Sequence, residues 1–157
     1  MRIIDADLND PAHREAVVAL TNAYARMPIG DGKPLGEDVR GRLADGLRDC
    51  GAVVFLAEVD GEFVGIATCM KSYSSFAARP VLNVHDLAVM TDFHGRGIGD
   101  ALLAAVEGRA RAIGCVKVTL EVRADNAAGR KLYARRGYAG AEFEAHPDAT
   151  LFCTKLL

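Results

Sequence analysis

Glycine recurs at every second position in His94-Gly95-Arg96-Gly97-Ile98-Gly99-Asp100. An apolar run ending at Met90 precedes it, and a helical pattern with Leu103, Val106, Ala110 and Ile113 on one face follows. Strand, glycine turn and helix start together make a device for holding phosphate. The first turn of a helix leaves main-chain N–H groups unpaired and carries partial positive charge. Glycine lets the backbone approach an anion and take up positive φ. Arg96 adds a fixed charge able to reach a phosphate oxygen. Spacing narrows the readings. A dinucleotide fingerprint needs its third glycine one position later, and a P-loop needs Gly-Lys-Ser/Thr after four intervening residues. A nucleotide-binding module and a tight turn with no ligand both stay open on this stretch alone.

Other residue types fit acid–base work. Tyr133, in Asn126-Ala127-Ala128-Gly129-Arg130-Lys131-Leu132-Tyr133, carries a phenol that donates at neutral pH. By spacing alone it reads as core packing beside Leu132, and Asn126 reads as a helix cap. Arg130, Lys131, Arg135 and Arg136 read mostly as a solvated helix face. His85 and Asp86 adjoin in a strand, so a regular strand points them to opposite faces. An imidazole, with a reference pKa near ~6.5, can accept a proton at neutral pH. The competing reading of His85 is a histidine satisfied by hydrogen bonds within the sheet.

The elements that must position these residues follow from local pattern. Arg2 to Ala6 alternates weakly as an edge strand. Asn9 or Asp10 caps a helix with Pro11 at its first position, and Val17, Leu20 and Tyr24 share a face to about Met27. Met27 to Pro34 is a breaker-rich loop. A second helix covers Glu37 to Arg48, with Val39, Leu43 and Leu47 on one side. Ala52–Val59 and Phe63–Met70 form a hairpin across Asp60-Gly61. Tyr73 to Pro80 reads as a connection and Val81 to Met90 as the strand feeding the glycine turn. The helix that follows stops at Gly114. Cys115 to Val122 is a strand, a helix runs from Asp125 or Asn126 to about Arg136, and Tyr138–Glu144 with Thr150–Leu156 closes as an antiparallel pair. The order is βααββββαβαββ or close to it, an α/β chain with a mixed sheet.

Composition bounds the function. The chain has 157 residues, half of them hydrophobic, and a net charge of −2. That suits one domain, 1–157, and gives bulk electrostatics no role for nucleic acid. No apolar run approaches the ~20 residues of a membrane span, and Met1 to Asp5 lacks the long apolar core of a signal peptide. The four cysteines are scattered with no Cys-x-x-Cys, so neither zinc nor redox chemistry is indicated, and three fall in apolar runs. Reduced thiols lead to the expectation of a cytoplasmic protein with no metal.

The window Val84 to Leu103 resembles the signature of the GNAT N-acetyltransferase superfamily, Gln/Arg-x-x-Gly-x-Gly/Ala between a strand and a helix, with His94 in its first position. The element order matches too, so the resemblance covers nearly the whole chain and is tightest from Val84 to Tyr138. It implies a GNAT-type fold: a mixed, mostly antiparallel sheet flanked by helices, whose central strands around Leu87 and Val118 splay at their C-terminal ends. It also implies acetyl-CoA as cosubstrate. The loop of His94, Gly95, Arg96, Gly97, Ile98, Gly99 and Asp100 would take the pyrophosphate, with His94 offering its backbone N–H. The pantetheine arm would pair with Leu87, Ala88 and Val89 as an added strand and touch Asn126. Tyr133 would be the general acid on the departing thiolate. A weaker similarity to diamine acetyltransferases of the spermidine/spermine type lies in Val84 to Gly99, with His85 where they carry Glu, and in Tyr73-Ser74-Ser75-Phe76. Near the variable loop, Lys33 and Arg40 offset Asp31, Glu37 and Asp38, so a diamine substrate does not carry over.

The reading is an acetyl-CoA-dependent N-acetyltransferase acting on a primary amine by direct attack in a ternary complex. No cysteine sits in an evident activated setting. His85, or a water it orders, would take the amine's proton, with Asp86 as the other candidate, and the Val89 N–H would polarise the thioester carbonyl. The acceptor is a small-molecule or peptide amine, its pocket walled by Met27–Pro34 and Tyr73–Pro80. The alternative is a non-catalytic acyl-CoA-binding sensor or regulatory domain. The resemblance also makes a homodimer an expectation, with no interface legible.

Overall fold

A computed structural model describes residues 1–140 and 149–157. Strand β1 (Arg2–Asp5) is followed by helices α1 (Pro11–Ala25) and α2 (Glu37–Asp49). Strands β2 (Val53–Val59), β3 (Glu62–Ser74) and β4 (Arg79–Val89) lead through a 3-10 turn, Thr91–Phe93, into α3 (Ile98–Ala112). Strand β5 (Lys117–Arg123), helix α4 (Ala127–Arg135) and strand β6 (Thr150–Leu156) complete the order. Three strands, not four, lie between α2 and α3. Of the segment read as a connection, Tyr73–Pro80, residues 75–78 are the turn and both ends are strand: Tyr73 pairs with Pro80 and Ser74 with Arg79. The strands run on past the apolar residues because main-chain pairing tolerates the polar, exposed side chains of a hairpin tip. Of the expected closing pair, β6 is present and Ala139 bridges Thr154; residues 141–144 of Tyr138–Glu144 lie outside the described residues.

Local chemistry sets the element ends. The Asp10 carboxylate accepts from Ala12 N at 2.8 Å with Pro11 at the first position of α1. Asp60 and Gly61 take φ of 52° and 88°, the positive pair of a two-residue hairpin turn. The six strands stand in sequence order, antiparallel except for β4 and β5, which pair in parallel.

Two apolar layers sandwich the sheet. On one face α3 and α4 pack through Ile98, Leu102, Leu103, Val106 and Tyr133 onto Phe55, Ala67, Leu82, Val84, Val118 and Leu120. On the other, α1 and α2 cover Val54, Leu56, Ile66 and Ala88 with Val17, Leu20 and Leu47. Ile113, expected on the buried stripe of α3, is the cap beyond its last turn and is exposed; Ile98 and Leu102 fill the stripe at the other end. Val39 is likewise exposed on α2, whose buried side is Ala44 and Leu47.

Candidate active site

The ladder between β4 and β5 runs from Val81↔Lys117 only to Val84↔Leu120. Beyond it β4 stays on β3 through Val89, and β5 stays on β6 through Arg123. The two strands therefore part at their C-terminal ends, and β4 presents an open edge. Met90 N donates to Val64 O across the β3 side. Main-chain groups alternate in direction along a strand, so those of Ala88 also turn to β3, while those of Leu87 and Val89 face the gap. Of the three residues expected to pair with an added strand, Leu87 and Val89 are placed to do so.

Irregular pairing accompanies the parting. Cys69 pairs with Val84 and Thr68 with Asp86, leaving His85 as an extra residue in β4. Such a bulge bends its strand and increases its twist. It also breaks the expected alternation. Val84 packs in the α3 layer and Ala88 in the α1 layer, and Asn83 and His85 line one hollow together. His85 and Asp86 therefore share the α1 side of the sheet instead of opposing each other.

The gap opens into a cleft of about 450 Å³ that gathers nearly all the expected coenzyme residues: Leu87, Ala88, Val89, His94, Gly95, Gly97, Ile98, Gly99, Asp100, Asn126 and Tyr133. Gly95 and Gly97 have φ of 75° and 77°, and Gly97 caps α3 with no side-chain hydrogen bond. Among the described residues, the N–H groups of Gly95, Arg96, Gly97, Ile98, Gly99 and Asp100 find no acceptor. His94 differs from expectation. Its N–H already donates to Thr91 O at 3.1 Å, closing the 3-10 turn, and its Nε2 lies 2.8 Å from Val89 O. The free amides thus begin at Gly95, and His94 acts as a tie between turn and strand. Arg96 is exposed, does not line the cleft, and sits 4.8 Å over the Phe93 ring. The Asp100 carboxylate, an unwelcome charge beside an anion site, is paired with Arg135 and lies 3.8 Å from Arg136.

A smaller cavity of about 180 Å³ adjoins the cleft and shares Tyr24, Ile29, Leu87, Asn126 and Tyr133 with it. His85, Glu121 and Arg123 add its charged groups. Tyr133 stands at the junction, 7% exposed, edge-on to Tyr138 with ring centroids 6.0 Å apart. Burial pushes its phenol well above the ordinary range, with Tyr24 and Cys153 adding to the effect, so it stays protonated. Asn126 caps α4, its Oδ1 accepting from Gly129 N at 2.9 Å, and it also lines both cavities. Burial holds the Asp86 carboxyl above the usual range while His85 pulls the other way; Asp86 lines neither cavity.

Tyr24, Glu121 and Arg123 are cavity residues that the sequence does not single out. Tyr24 reads as part of the apolar face of α1, and Glu121 and Arg123 alternate outward like any charged strand residues; Ile29 belongs to the loop Met27–Pro34 expected to wall the acceptor pocket. Only the splay, which no residue pattern shows, turns them toward one point.

Residues 17–138 match the sequence model of the Acetyltransferase (GNAT) family. The chain belongs to this family. A Bacillus subtilis (strain 168) protein named "Uncharacterized N-acetyltransferase YhfO" is 31% identical over 87 residues, 55% of this chain and 58% of that protein. The matched stretch thus spans less than two thirds of that relative's length. A crystal structure of a probable acetyltransferase superposes with a TM-score of 0.78 at 25% identity, covering 93% of this chain and 95% of the other. Arabidopsis thaliana Naa50, in complex with the bisubstrate analogue CoA-Ac-MVNAL, shares the fold with a TM-score of 0.69 at 15% identity, over 99% and 98% of the two chains. The likeness established is to the GNAT family as a whole, not to its diamine-acetylating branch.

Proposed function

We propose that this GNAT protein transfers the acetyl group of acetyl-CoA to a primary amine by direct attack within a ternary complex. The observation that carries the reading is the run of free amides from Gly95 to Asp100 at one end of a cleft whose other end holds a buried, protonated phenol. The amides and the α3 N-terminus suit a diphosphate, and the open edge at Leu87 and Val89 suits the amides of a pantetheine arm. Naa50, of the same fold, has been seen with a CoA-linked peptide, which supports a coenzyme of this class and admits a peptide among the possible amine acceptors.

In the transfer step the neutral amine attacks the thioester carbon. Val89 N–H stabilises the developing oxyanion, the C–S bond breaks, and Tyr133 gives its proton to the departing thiolate. His85 takes the proton that the nitrogen sheds, directly or through a water. Because Asp86 lines neither cavity, Glu121 replaces it as the second candidate base. An acyl-cysteine route has no support: Cys69 is fully buried with its thiol pushed up to about 12 by burial and by Asp86, and none of the four cysteines lines either cavity.

Calorimetry with acetyl-CoA, CoA and ATP, followed by turnover with a panel of primary amines, tests the reading. Binding of ATP but not CoA overturns it, and CoA binding with no turnover leaves a sensor domain. Tyr133→Phe should lower kcat by about 10²-fold or more with CoA affinity within about twofold; unchanged kcat removes Tyr133 as the acid. Among His85→Ala and Glu121→Gln, the variant with the larger loss of kcat identifies the base.

A further inference from the structure

Tyr24 occupies a place that its helix position alone does not explain. It stands one residue before the end of α1, where its carbonyl accepts from both Arg26 and Met27 N–H. The loop then folds back so closely that a Cβ on Gly30 would lie 2.5 Å from Tyr24 O. The side chain is thereby held at the meeting point of the two cavities, lining both. Tyr24 is half-buried, and among the described residues its hydroxyl has no hydrogen-bond partner. A packing role would be met by phenylalanine without a polar atom to satisfy. A phenol facing the junction of the two cavities can both donate and accept a hydrogen bond there.

Two further observations point at the same spot. Burial of Tyr24, and after it the charge of Asp86, which the bulge turns to the α1 side, keep the Tyr24 phenol protonated against an opposing pull from Arg123. Tyr24 and Tyr133 both line both cavities, so the two phenols look into one space from α1 and α4.

We propose that Tyr24 touches the acceptor: its phenol oxygen accepts a hydrogen bond from the amine and aims the nitrogen lone pair at the thioester carbon held beside Tyr133. The two tyrosines divide the step, Tyr133 serving the sulfur and Tyr24 the nitrogen. The inference rests on the transferase reading and adds the residue that selects a primary amine, since the bond uses an N–H that the nitrogen keeps while its lone pair attacks.

The test is Tyr24→Phe, which keeps the ring and removes one oxygen, with glycinamide, alaninamide and n-butylamine as acceptors. Acceptor kcat/KM should fall about tenfold, mostly through acceptor KM, while CoA affinity by calorimetry and the thermal midpoint stay at native values. Native acceptor kinetics in Tyr24→Phe overturn the inference and leave the transferase reading standing. A fall in CoA affinity matching the fall in activity also overturns it, making Tyr24 part of the coenzyme wall. A native protein that binds CoA and acetylates none of these amines sinks the transferase reading itself, and the role of Tyr24 with it.

Discussion

Gly97 and Gly99 are two positions apart and answer to different physics. A Cβ on Gly97 would meet nothing within 4 Å, but its φ of 77° is one that side chains resist. A Cβ on Gly99 would lie 3.0 Å from Leu132 Cδ2 with no conformational strain. Gly97→Ala therefore costs about 1–2 kcal/mol of backbone strain in the loop's binding shape, and calorimetry should show CoA affinity weakened roughly tenfold. Gly99→Ala asks only that one leucine methyl move, so its effect should be smaller; a reversed order would mean that the loop rearranges before it binds. Residue type revealed which atoms could bind phosphate here. It did not reveal that His94 is already engaged at both its N–H and its ring, because that follows from where the 3-10 turn and the end of β4 meet.

Helices α3 and α4 and strand β6 are joined by a buried cluster. Glu107, 3% exposed, receives Arg136 through Nε and Nη2 at 3.0 Å each, and Lys155 Nζ lies 3.0 Å from the same carboxylate. Burial alone would raise the Glu107 carboxyl, but Arg136 and Lys155 together hold it below the ordinary range. A folded-state value below the unfolded one means that the unfolded chain takes up the proton first as pH falls. The contribution is therefore whole above the free glutamate range, about 4.3, and is lost as pH drops through the lower folded value. Urea unfolding should show the native midpoint falling more steeply below about pH 5 than that of Glu107→Gln. At pH 7, Glu107→Ala should cost about 1.5–3 kcal/mol, because two half-buried cations lose their charge-assisted bonds to it. The helices themselves were legible from caps and apolar period: Asp10, Asn126 and Gly114 mark ends that the structure keeps. What tied α4 to its neighbours was not legible, since Glu107 reads in sequence like any solvated helix carboxylate. The extended β3–β4 hairpin was hidden for a similar reason, as its tip pairs main chain without an apolar signal.

At the scale of the whole molecule, two antiparallel halves of one sheet are joined by the short parallel ladder between β4 and β5. A ligand that pairs with the open edge of β4 adds stability that the free protein lacks. CoA at one hundred times its dissociation constant should contribute about 2.7 kcal/mol, which for a chain of this size raises the thermal midpoint by roughly 5–10 °C. No rise would mean that CoA does not bind the folded protein. The architecture as a whole was readable from element order; the surplus residue in β4 was not, because a bulge is specified by both strands together. That one residue implies a bargain between cohesion and use. Excising His85 would leave Thr68 opposite Asp86 and Cys69 opposite Val84 while straightening the backbone between them. The two halves could then zip together past Leu120. Such a shortened chain should withstand more urea than its parent and lose CoA affinity by calorimetry, cohesion gained where the sheet now parts.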